Sequence, residues 1–425
     1  MDWLRIAASA RPGAPALITG ERTISYAALD RAADGLAAVV ASAAPLHSVV
    51  GFVAVSTPEA VAAVWAIPRA GALAVPIDPH LPADQVAAVA QVVLPADSEF
   101  DAMLEVPLHP VRGGMPGDAG FVVFTSGSEG TRKGVVLTGA NVAASVTASA
   151  ERLGNGVNDP WLAVLPLFHI GGLSILWRQA AAGAPVVLEP SFDPVRCAAL
   201  LPEVAFASVV PTMLLRMLDA GARGGGRLRG VLVGGGPADP ALLRRAIDAG
   251  IPALQTYGMT ETCSQVCTVA PEDAERDLGT AGRPLAGAAV AVDDDGRVRV
   301  RGPMVSAGYL GEEPRSDEWF VTGDLGSIDP EGRLTVLGRA DAVIVTGGEN
   351  VHPALVERAL RTVAGVVDAR VSGEPDAEWG SALVAELVLD ATTVAAVAAE
   401  ARGLLRRAEV PRRWIVVDSL PVKLS

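Results

Sequence analysis

Short apolar runs alternate with longer amphipathic segments along roughly residues 1–260. Continuous apolar stretches such as residues 49–55, 73–77 and 121–124 have the length and composition of strands buried on both faces. Between them, residues 26–40 and 58–70 repeat apolar side chains at helical spacing. Strands that alternate with helices predict an α/β fold with mostly parallel sheets. In such sheets, ligands bind at the carboxyl ends of the strands.

The pattern changes near residue 287. Residues 290–300 alternate apolar and polar positions around 293–296, which predicts a hairpin at the start of a β-rich stretch. We therefore predict a large domain, residues 1–339, of layered α/β subdomains plus a β-rich subdomain. A small C-terminal α+β domain, residues 340–425, is predicted to follow it.

Composition narrows the class of protein. The chain has 425 residues, enough for more than one domain, and a formal net charge of −14, which argues against nucleic acid or anionic membranes as general partners. No apolar run reaches the length of about 18 residues that a membrane span needs, and the N-terminus lacks the pattern of a secretory signal. Three cysteines make no disulfide framework. We expect a cytoplasmic enzyme, with a homo-oligomer left open.

One loop carries the clearest chemical signal. Residues 124–135, FTSGSEGTRKGV, follow an apolar strand and offer backbone N–H groups and hydroxyls to an oxyanion. Lys133 adds a mobile point charge, and lysine occurs otherwise only at Lys423. The loop differs from the common nucleotide P-loop, because no glycine precedes Lys133 with Ser or Thr after it. Taken alone, it is also compatible with a flexible surface turn.

Four further motifs follow in order: GGGP at 234–237, YGMTE at 257–261, TGD at 322–324 and GRADAVIVTGGEN at 338–350. With the loop, they resemble the adenylate-forming superfamily of acyl- and aryl-CoA synthetases, nonribosomal adenylation domains and luciferases. The resemblance covers nearly the whole chain. Two stretches, LPLFHIGGLS at 165–174 and YGMTETCSQV at 257–266, look like the o-succinylbenzoate–CoA ligases of menaquinone biosynthesis.

The resemblance implies a two-step reaction. A carboxylate attacks the α-phosphate of ATP to give an acyl-adenylate and pyrophosphate, and the thiol of coenzyme A then displaces AMP. Positioning and charge stabilisation carry such a phosphoryl-group reaction, with Mg²⁺ as the accompanying ion. ATP, Mg²⁺ and coenzyme A are therefore the expected cofactor, metal and co-substrate, and a small carboxylic acid is the expected substrate.

Roles for individual residues are also implied by the resemblance. Thr260 would contact the α-phosphate, Glu261 would hold Mg²⁺, and Asp324 would accept from the ribose hydroxyls. Arg339 would contact ribose or phosphate. Tyr257 would stack on adenine. The residues that would surround the β- and γ-phosphates are Thr125, Ser126, Gly127, Ser128, Gly130 and Lys133, and those that would leave room for the adenine ring are Gly235 and Gly236.

Each role has a simpler alternative, in which Glu261 is a solvated loop carboxylate and Tyr257 is a core aromatic. For the acid, the resemblance makes His169 a gate and adds this set of pocket residues: Ser174, Arg178, Gly235, Gly258, Ser264 and Gln265. o-Succinylbenzoate has two carboxylates, of which one is activated. Our hypothesis is that Arg178 binds the other, against the alternative of a surface arginine on its helix.

Two positions depart from the family pattern. Glu129 places a carboxylate inside the phosphate loop, where relatives usually carry a neutral hydroxyl. At the C-terminus, residues 420–425 match the start of the segment that carries the catalytic lysine of relatives, so Lys423 occupies a variable position and we expect the adenylation lysine to be missing. The small domain is expected to swing about a hinge at Asp341. Alternatives are another aryl or alkyl acid, a carrier protein as acceptor, or a nucleotide-binding protein without adenylation activity.

Overall fold

The structure is a computed structural model, and it describes residues 1–20, 22–90, 92–94, 120–125, 132–376, 378–418 and 420. The strands of this part are β1 (Pro15–Thr19), β2 (Arg22–Ser25), β3 (Val49–Val53), β4 (Leu73–Ile77), β5 (Val92–Leu94), β6 (Phe121–Phe124), β7 (Gly134–Leu137), β8 (Trp161–Ala163), β9 (Val186–Leu188), β10 (Phe206–Val209), β11 (Gly230–Val233), β12 (Ala253–Met259), β13 (Ser264–Thr268), β14 (Arg283–Pro284), β15 (Ala289–Val292), β16 (Arg297–Arg301), β17 (Phe320–Ile328), β18 (Leu334–Arg339), β19 (Ile344–Thr346), β20 (Glu349–Val351), β21 (Val366–Asp376), β22 (Gly380–Leu389) and β23 (Arg413–Val416).

Helices fill most of the connections between these strands. They are α1 (Trp3–Ala10), α2 (Tyr26–Ala43), α3 (Pro58–Arg69), α4 (Ala83–Val89), α5 (Gly139–Leu153), α6 (Ile170–Ala182), α7 (Pro194–Leu200), α8 (Pro211–Asp219), α9 (Pro240–Asp248), α10 (Pro353–Arg361) and α11 (Val394–Leu404). Proline opens several of them, because its fixed φ suits the first turn and its missing N–H costs no helical hydrogen bond there.

Two mainly parallel sheets organise the large domain. In the described residues, one has the strand order β14-β13-β12-β11-β10-β8-β9-β1-β2 and the other β5-β3-β4-β6-β7. The inner strands pair in parallel, as in Leu232 opposite Leu254, whereas β2, β7, β13 and β14 pair antiparallel at the edges. The predicted α/β class is therefore confirmed, with antiparallel edge strands that the alternation did not predict.

The interior is apolar and well filled. Trp161, Phe206, Phe121 and Trp177 are almost completely buried, and their rings meet in two tilted pairs with centroids 4.8–5.0 Å apart. Burying one large apolar side chain stabilises a fold by about 1.5–3 kcal/mol, so these helices and sheets are held mainly by packing. None of the described helices is long and apolar enough to cross a membrane.

Helix α5 begins with a capping box formed by Thr138 and Asn141. Thr138 is the N-cap, and Asn141, the third helical residue, reaches back to accept from the Thr138 N–H at 3.0 Å in a capping box. The amide of Asn141 also donates to the carbonyls of Pro303 and Val305, at 2.8 and 2.9 Å. This contact fixes a distant segment beside β7.

The β-rich part is a sheet of order β15-β16-β17-β18, and the predicted hairpin at 290–300 is its first pair. In the last pair, Asp324 stands opposite Arg339. After Arg339 the chain forms β19–β20 and a second sheet, β21-β22-β23, against which α10 and α11 pack. Their apolar side chains form a core of their own, which includes Val351, Leu360 and Leu387. The boundary at 339/340 stays a prediction that this separate core supports.

Candidate active site

The phosphate-loop residues that the structure describes lie at the end of a hairpin. Thr125 follows β6, and its backbone N–H donates to the carbonyl of Lys133 at 3.0 Å, immediately before β7. The two ends of the loop are therefore held together, with Thr125 and Lys133 side by side. Four of the predicted phosphate-binding residues lie outside the described residues: Ser126, Gly127, Ser128 and Gly130.

Tyr309 lies between Lys133 and Glu261, the acidic residue of the YGMTE motif. The ammonium of Lys133 lies 4.8 Å from the centre of the Tyr309 ring and 3.5 Å from Glu312 Oε1. The Tyr309 hydroxyl donates to Glu261 Oε1 at 3.0 Å. Thr260 and Glu261 lie on a short 3-10 helix, Thr260–Thr262, directly after β12. Sequence reasoning did not single out Tyr309 or Glu312, although tyrosine occurs only three times in the chain.

The predicted ribose acceptor is held by two neighbours. Asp324 on β17 accepts from the Tyr257 hydroxyl at 2.8 Å, and Arg339 Nη1 lies 3.8 Å from its other oxygen. Burial raises the pKa of the Asp324 carboxyl, although Tyr257 and Arg339 oppose this effect. Tyr257 itself is 9% exposed and packs among Val266 and Val298. Its phenol thus positions Asp324, and its stacking on adenine stays a prediction.

Arg339 connects this group to the predicted hinge. Its guanidinium donates to both carboxylate oxygens of Asp341, at 3.2 and 3.0 Å. The same guanidinium passes over Gly323, where any Cβ would come within 2.6 Å of it. A side chain at position 323 would therefore displace the Arg339 guanidinium from the place where it lies near both Asp324 and Asp341.

The glycines of the predicted site have two kinds of surroundings, open space at Gly236 and close backbone contact at Gly258. Gly235 follows β11 with φ +75°, a left-handed conformation that suits glycine, and a side chain on Gly236 would meet nothing within 4 Å. At Gly258, in contrast, a Cβ would lie 1.8 Å from the Ser264 carbonyl. Gly258 therefore allows β12 and β13 to approach each other, which places residues 257–259 beside residues 264–265 on the adjacent strand.

The residues predicted to line the acid pocket include a buried cation, Arg178. Arg178 and Ser174, one turn apart on α6, are 3% and 1% exposed, and both contact Ser264 Oγ, at 3.1 Å from Arg178 Nη2 and 3.3 Å from Ser174 Oγ. Arg178 Nε is buried without a hydrogen-bond partner, and its guanidinium lies 5.6 Å from the Trp161 ring centre. Burial lowers the pKa of Arg178 to about 10. The alternative of a surface arginine is wrong.

Ser264 and Gln265 are neighbours on β13 and make different contacts. Gln265 accepts from Ser149 at 2.8 Å and donates to Thr268 at 3.0 Å, so it is not brought together with Arg178. Its role in the acid pocket stays a prediction without a supporting contact. Ser264 has φ +89°, a conformation that costs a non-glycine residue about 1–3 kcal/mol and is typical of functional sites.

His169 precedes α6 as its N-cap residue and lies with its ring 4.5 Å from that of Phe168. Burial lowers its pKa, while Asp78 raises it and Arg132 lowers it further. The imidazole is therefore neutral near pH 7. Asp78 follows β4 and Arg132 precedes β7, so His169 stands near the same strand ends as Lys133. Lys423 lies outside the described residues.

The donor set fits a magnesium ion that arrives with nucleotide. No group of three His, Cys, Asp or Glu side chains in the described part of the chain could hold a metal alone. Mg²⁺ is commonly bound through one or two carboxylates together with substrate phosphates and water. Glu261, half-buried and with only Oε1 engaged by Tyr309, can supply such a carboxylate oxygen.

Comparison with known proteins places the chain in a family. The sequence profile of the AMP-binding enzyme family matches residues 4–96 and 91–310, and that of the AMP-binding enzyme C-terminal domain matches residues 355–425. The chain belongs to the AMP-binding enzyme family. The predicted resemblance to adenylate-forming enzymes is thereby confirmed.

This AMP-binding enzyme is similar to proteins with a named substrate. It is 40% identical to the 2-succinylbenzoate–CoA ligase of Bacillus licheniformis over 325 residues, which cover 72% of this chain and 68% of the relative. The o-succinylbenzoate CoA synthetase (MenE) of Bacillus subtilis, solved with the acyl-adenylate intermediate OSB-AMP, superposes with a TM-score of 0.88 at 32% identity, covering 99% of this chain and 95% of that one. The same enzyme with ATP and magnesium ion gives 0.86 at 31% identity, covering 99% and 96%.

Proposed function

We propose that this enzyme is an ATP-dependent acid–CoA ligase that converts 2-succinylbenzoate, ATP and coenzyme A to 2-succinylbenzoyl-CoA, AMP and diphosphate through an acyl-adenylate. The observation that carries the substrate assignment is the buried guanidinium of Arg178, which has no carboxylate within 4 Å among the described residues. Relatives named for this reaction and structures with its adenylate support the reaction class.

The nucleotide side supplies position and charge. Lys133 and Thr125 stand together where the β- and γ-phosphates would bind, and Thr260, directly after β12, would contact the α-phosphate. Asp324, oriented by Tyr257 and Arg339, would accept from the ribose hydroxyls. Mg²⁺ supplies neutralisation of phosphate charge when it is bound, and Glu261 is the residue that would hold it. These groups lower the barrier by holding ATP and the acid in line.

The acid side supplies selectivity for a dicarboxylate. A buried cation without a counter-charge is expensive, because nothing replaces the water that the guanidinium has lost. A second carboxylate on the substrate would restore that balance and accept from the unpaired Nε of Arg178. Ser174 and Ser264 would complete its hydrogen bonds, and neutral His169 would stand at the entrance to the pocket.

The small domain takes part in both half-reactions by moving about its connection to the large domain at Asp341. Its bidentate contact with Arg339 ties the hinge to a group that also faces Asp324. Movement of residues 340–425 between an adenylating and a thioester-forming pose would exchange this contact. Asp341→Pro should therefore block one half-reaction more than the other, and equal loss of both would place the hinge elsewhere. Cytoplasmic location belongs to the same proposal, and the oligomeric state stays open.

The direct test is a panel of acids with ATP, Mg²⁺ and coenzyme A, with AMP and thioester both measured. We expect 2-succinylbenzoate to exceed its analogue without the second carboxylate by roughly a hundredfold in kcat/KM, since a buried charge pair is worth about 3 kcal/mol. A higher kcat/KM for another acid, or transfer only to a carrier protein, would contradict the assignment. ATP binding without AMP formation from any acid would indicate a nucleotide-binding protein instead.

A further inference from the structure

Residues 303–312 form a segment that is hydrogen-bonded to the start of α5, to Glu261 and to β7. Its carbonyls at Pro303 and Val305 accept from Asn141, and the N–H of Ser306 donates to the backbone carbonyl of Glu261 at 2.8 Å. Farther along, the N–H of Leu310 donates to the carbonyl of Gly134, in β7, at 2.7 Å. The segment therefore joins the backbone that carries Lys133 to the backbone that carries Glu261.

Tyr309 is the side chain of this segment that contacts both charges. Its ring faces the ammonium of Lys133 at 4.8 Å, and its hydroxyl donates to Glu261 at 3.0 Å. The phenol is the donor of this hydrogen bond because an ionised carboxylate can only accept. Glu312 takes the ion pair with Lys133, at 3.5 Å, and no ion pair joins Lys133 to Glu261.

The arrangement keeps two opposite charges apart. Without an intervening group, an ammonium and a carboxylate on adjacent loops would attract each other and pair directly. Both would then be turned away from their proposed ligands, which are the phosphates for Lys133 and the accompanying ion for Glu261. The phenol accommodates each charge separately, through its π-face and through its O–H.

We propose that Tyr309 is a positioning residue that holds Glu261 and Lys133 apart and oriented for magnesium nucleotide. This inference rests on the proposed function, because it takes the Lys133–Glu261 region as the triphosphate site. The contacts that define this role are those of Tyr309 with Glu261 and Lys133. The effect of Tyr309 is transmitted through the two charged side chains, so its loss should change the dependence on Mg²⁺ before it changes the chemistry.

The test measures nucleotide binding by calorimetry, without acid or coenzyme A. Tyr309→Phe keeps the ring beneath Lys133 and removes the O–H from Glu261. We expect the affinity for MgATP to fall about tenfold, as for the loss of one hydrogen bond to a charged group. The free Mg²⁺ concentration that gives half-maximal binding should rise in parallel. Affinity for ATP in excess chelator should stay at the wild-type value, and Tyr309→Leu, which also removes the ring, should weaken that affinity too.

A matched control is Tyr26→Phe. Tyr26 is buried, and its hydroxyl donates to the carbonyls of Gln179 and Ala184, at 2.9 and 2.8 Å. This variant should unfold at a lower temperature but keep the wild-type dependence on Mg²⁺. In a Glu261→Gln background, Tyr309→Phe should have no further effect on that dependence, which tests the coupling even if the single variants differ in stability.

An unchanged Mg²⁺ dependence in Tyr309→Phe, or an equal shift in Tyr26→Phe, would overturn the inference. The outcome is separate from that of the proposed function. Wild-type protein that binds no MgATP would refute the triphosphate site itself, whereas wild-type binding with an unaffected Tyr309→Phe would refute only the role of Tyr309. The identity of the acid does not enter either measurement.

Discussion

Arg69 and Arg178 are equally buried, at 3% exposure each, and their surroundings are opposite. Arg69, at the end of α3, donates to three carboxylates: Nε to Asp2 at 2.7 Å, Nη2 to Asp30 at 2.5 Å and Nη1 to Asp34 at 2.9 Å. Burial alone would lower its pKa, but these three groups raise it above the ordinary value. Arg178 has one hydroxyl partner and an unpaired Nε, and burial lowers its pKa to about 10.

The difference separates a buried cation that the fold neutralises from one that no described carboxylate neutralises. A buried charge that serves the fold is neutralised by the fold, because an unpaired charge in a low-dielectric interior is costly. Arg69 satisfies that condition and Arg178 does not. Among the described residues no carboxylate pairs with Arg178, and we therefore assign that role, as proposed above, to the second carboxylate of the substrate.

The largest expected effect is on the structural side. Arg69→Met removes the buried cation that joins Asp2, Asp30 and Asp34, and should lower the free energy of unfolding by about 3–5 kcal/mol. KM for the acid should stay unchanged. Arg5 is a matched control, since it pairs with Asp30 and Asp34 from the surface with a side chain 44% exposed. Arg5→Met should cost less than about 1 kcal/mol in the same urea titration, and equal costs would remove the distinction between the two pairs.

Arg178→Met should have the opposite profile. Methionine fills a similar volume without a charge, so the free energy of unfolding should stay constant or rise. The value of kcat/KM for 2-succinylbenzoate should fall roughly a hundredfold, corresponding to about 3 kcal/mol. Steady-state kinetics and urea titration of the same preparation check both halves. A variant that is destabilised like Arg69→Met, yet binds the acid normally, would make Arg178 a structural residue.

Ser264 offers a smaller version of the same comparison. Ser264→Ala removes the hydroxyl that meets Arg178 and Ser174 but keeps the left-handed backbone. KM should rise about fivefold, for a loss near 1 kcal/mol. Ser264→Gly should raise KM equally and be more stable than Ser264→Ala by about 1 kcal/mol, because glycine relieves the strain at φ +89°. Equal stability of the two variants would show that the backbone is not strained.

The smallest expected effect is a pH-dependent change in stability at Asp277, a second buried charge that the fold neutralises. Asp277 is 1% exposed and contacts Arg276, Arg283 and Arg333 at 3.1–3.3 Å. Burial would raise its pKa, but the arginines lower it below the ordinary value. Its contribution to stability is therefore present above about pH 4, the usual carboxyl range, and is lost as pH falls through the lowered pKa. Arg276 is more than half exposed, which keeps the contribution to a few tenths up to about 1 kcal/mol.

Urea titrations of wild type and Asp277→Asn between pH 7 and pH 3 check this prediction. The difference in unfolding free energy between the two proteins should be constant from pH 7 to pH 5 and should shrink below pH 4. A difference that grows on acidification would mean that the pKa of Asp277 is raised in the folded protein.

Much of the fold follows from short-range patterns in the sequence. The apolar runs at 73–77 and 230–233 are strands because their length and continuity suit a sheet buried on both faces. The predicted motif loops lie at strand ends because parallel strands share a direction.

Other features depend on contacts that no local pattern encodes. Tyr309 meets Glu261 across 48 positions of the chain, and Tyr257 meets Asp324 across 67. The burial of Arg178 depends on which face of α6 packs against β13, and a single arginine in an amphipathic segment does not reveal that choice. The rarity of tyrosine is the one sequence feature that hints at these contacts, because all three tyrosine hydroxyls donate to specific acceptors. Tyr26 donates to the carbonyls of Gln179 and Ala184, Tyr257 to Asp324 and Tyr309 to Glu261.

The pairing of Arg178 with a substrate carboxylate is tested most directly by a binding cycle. Affinities of 2-succinylbenzoate and of its analogue without the second carboxylate are measured on wild type and on Arg178→Met, with a non-hydrolysable ATP analogue present. The account predicts that the second carboxylate strengthens binding by roughly a hundredfold in wild type and by less than about threefold in the variant. The same advantage in both proteins would contradict it, because the carboxylate would then be held by another group.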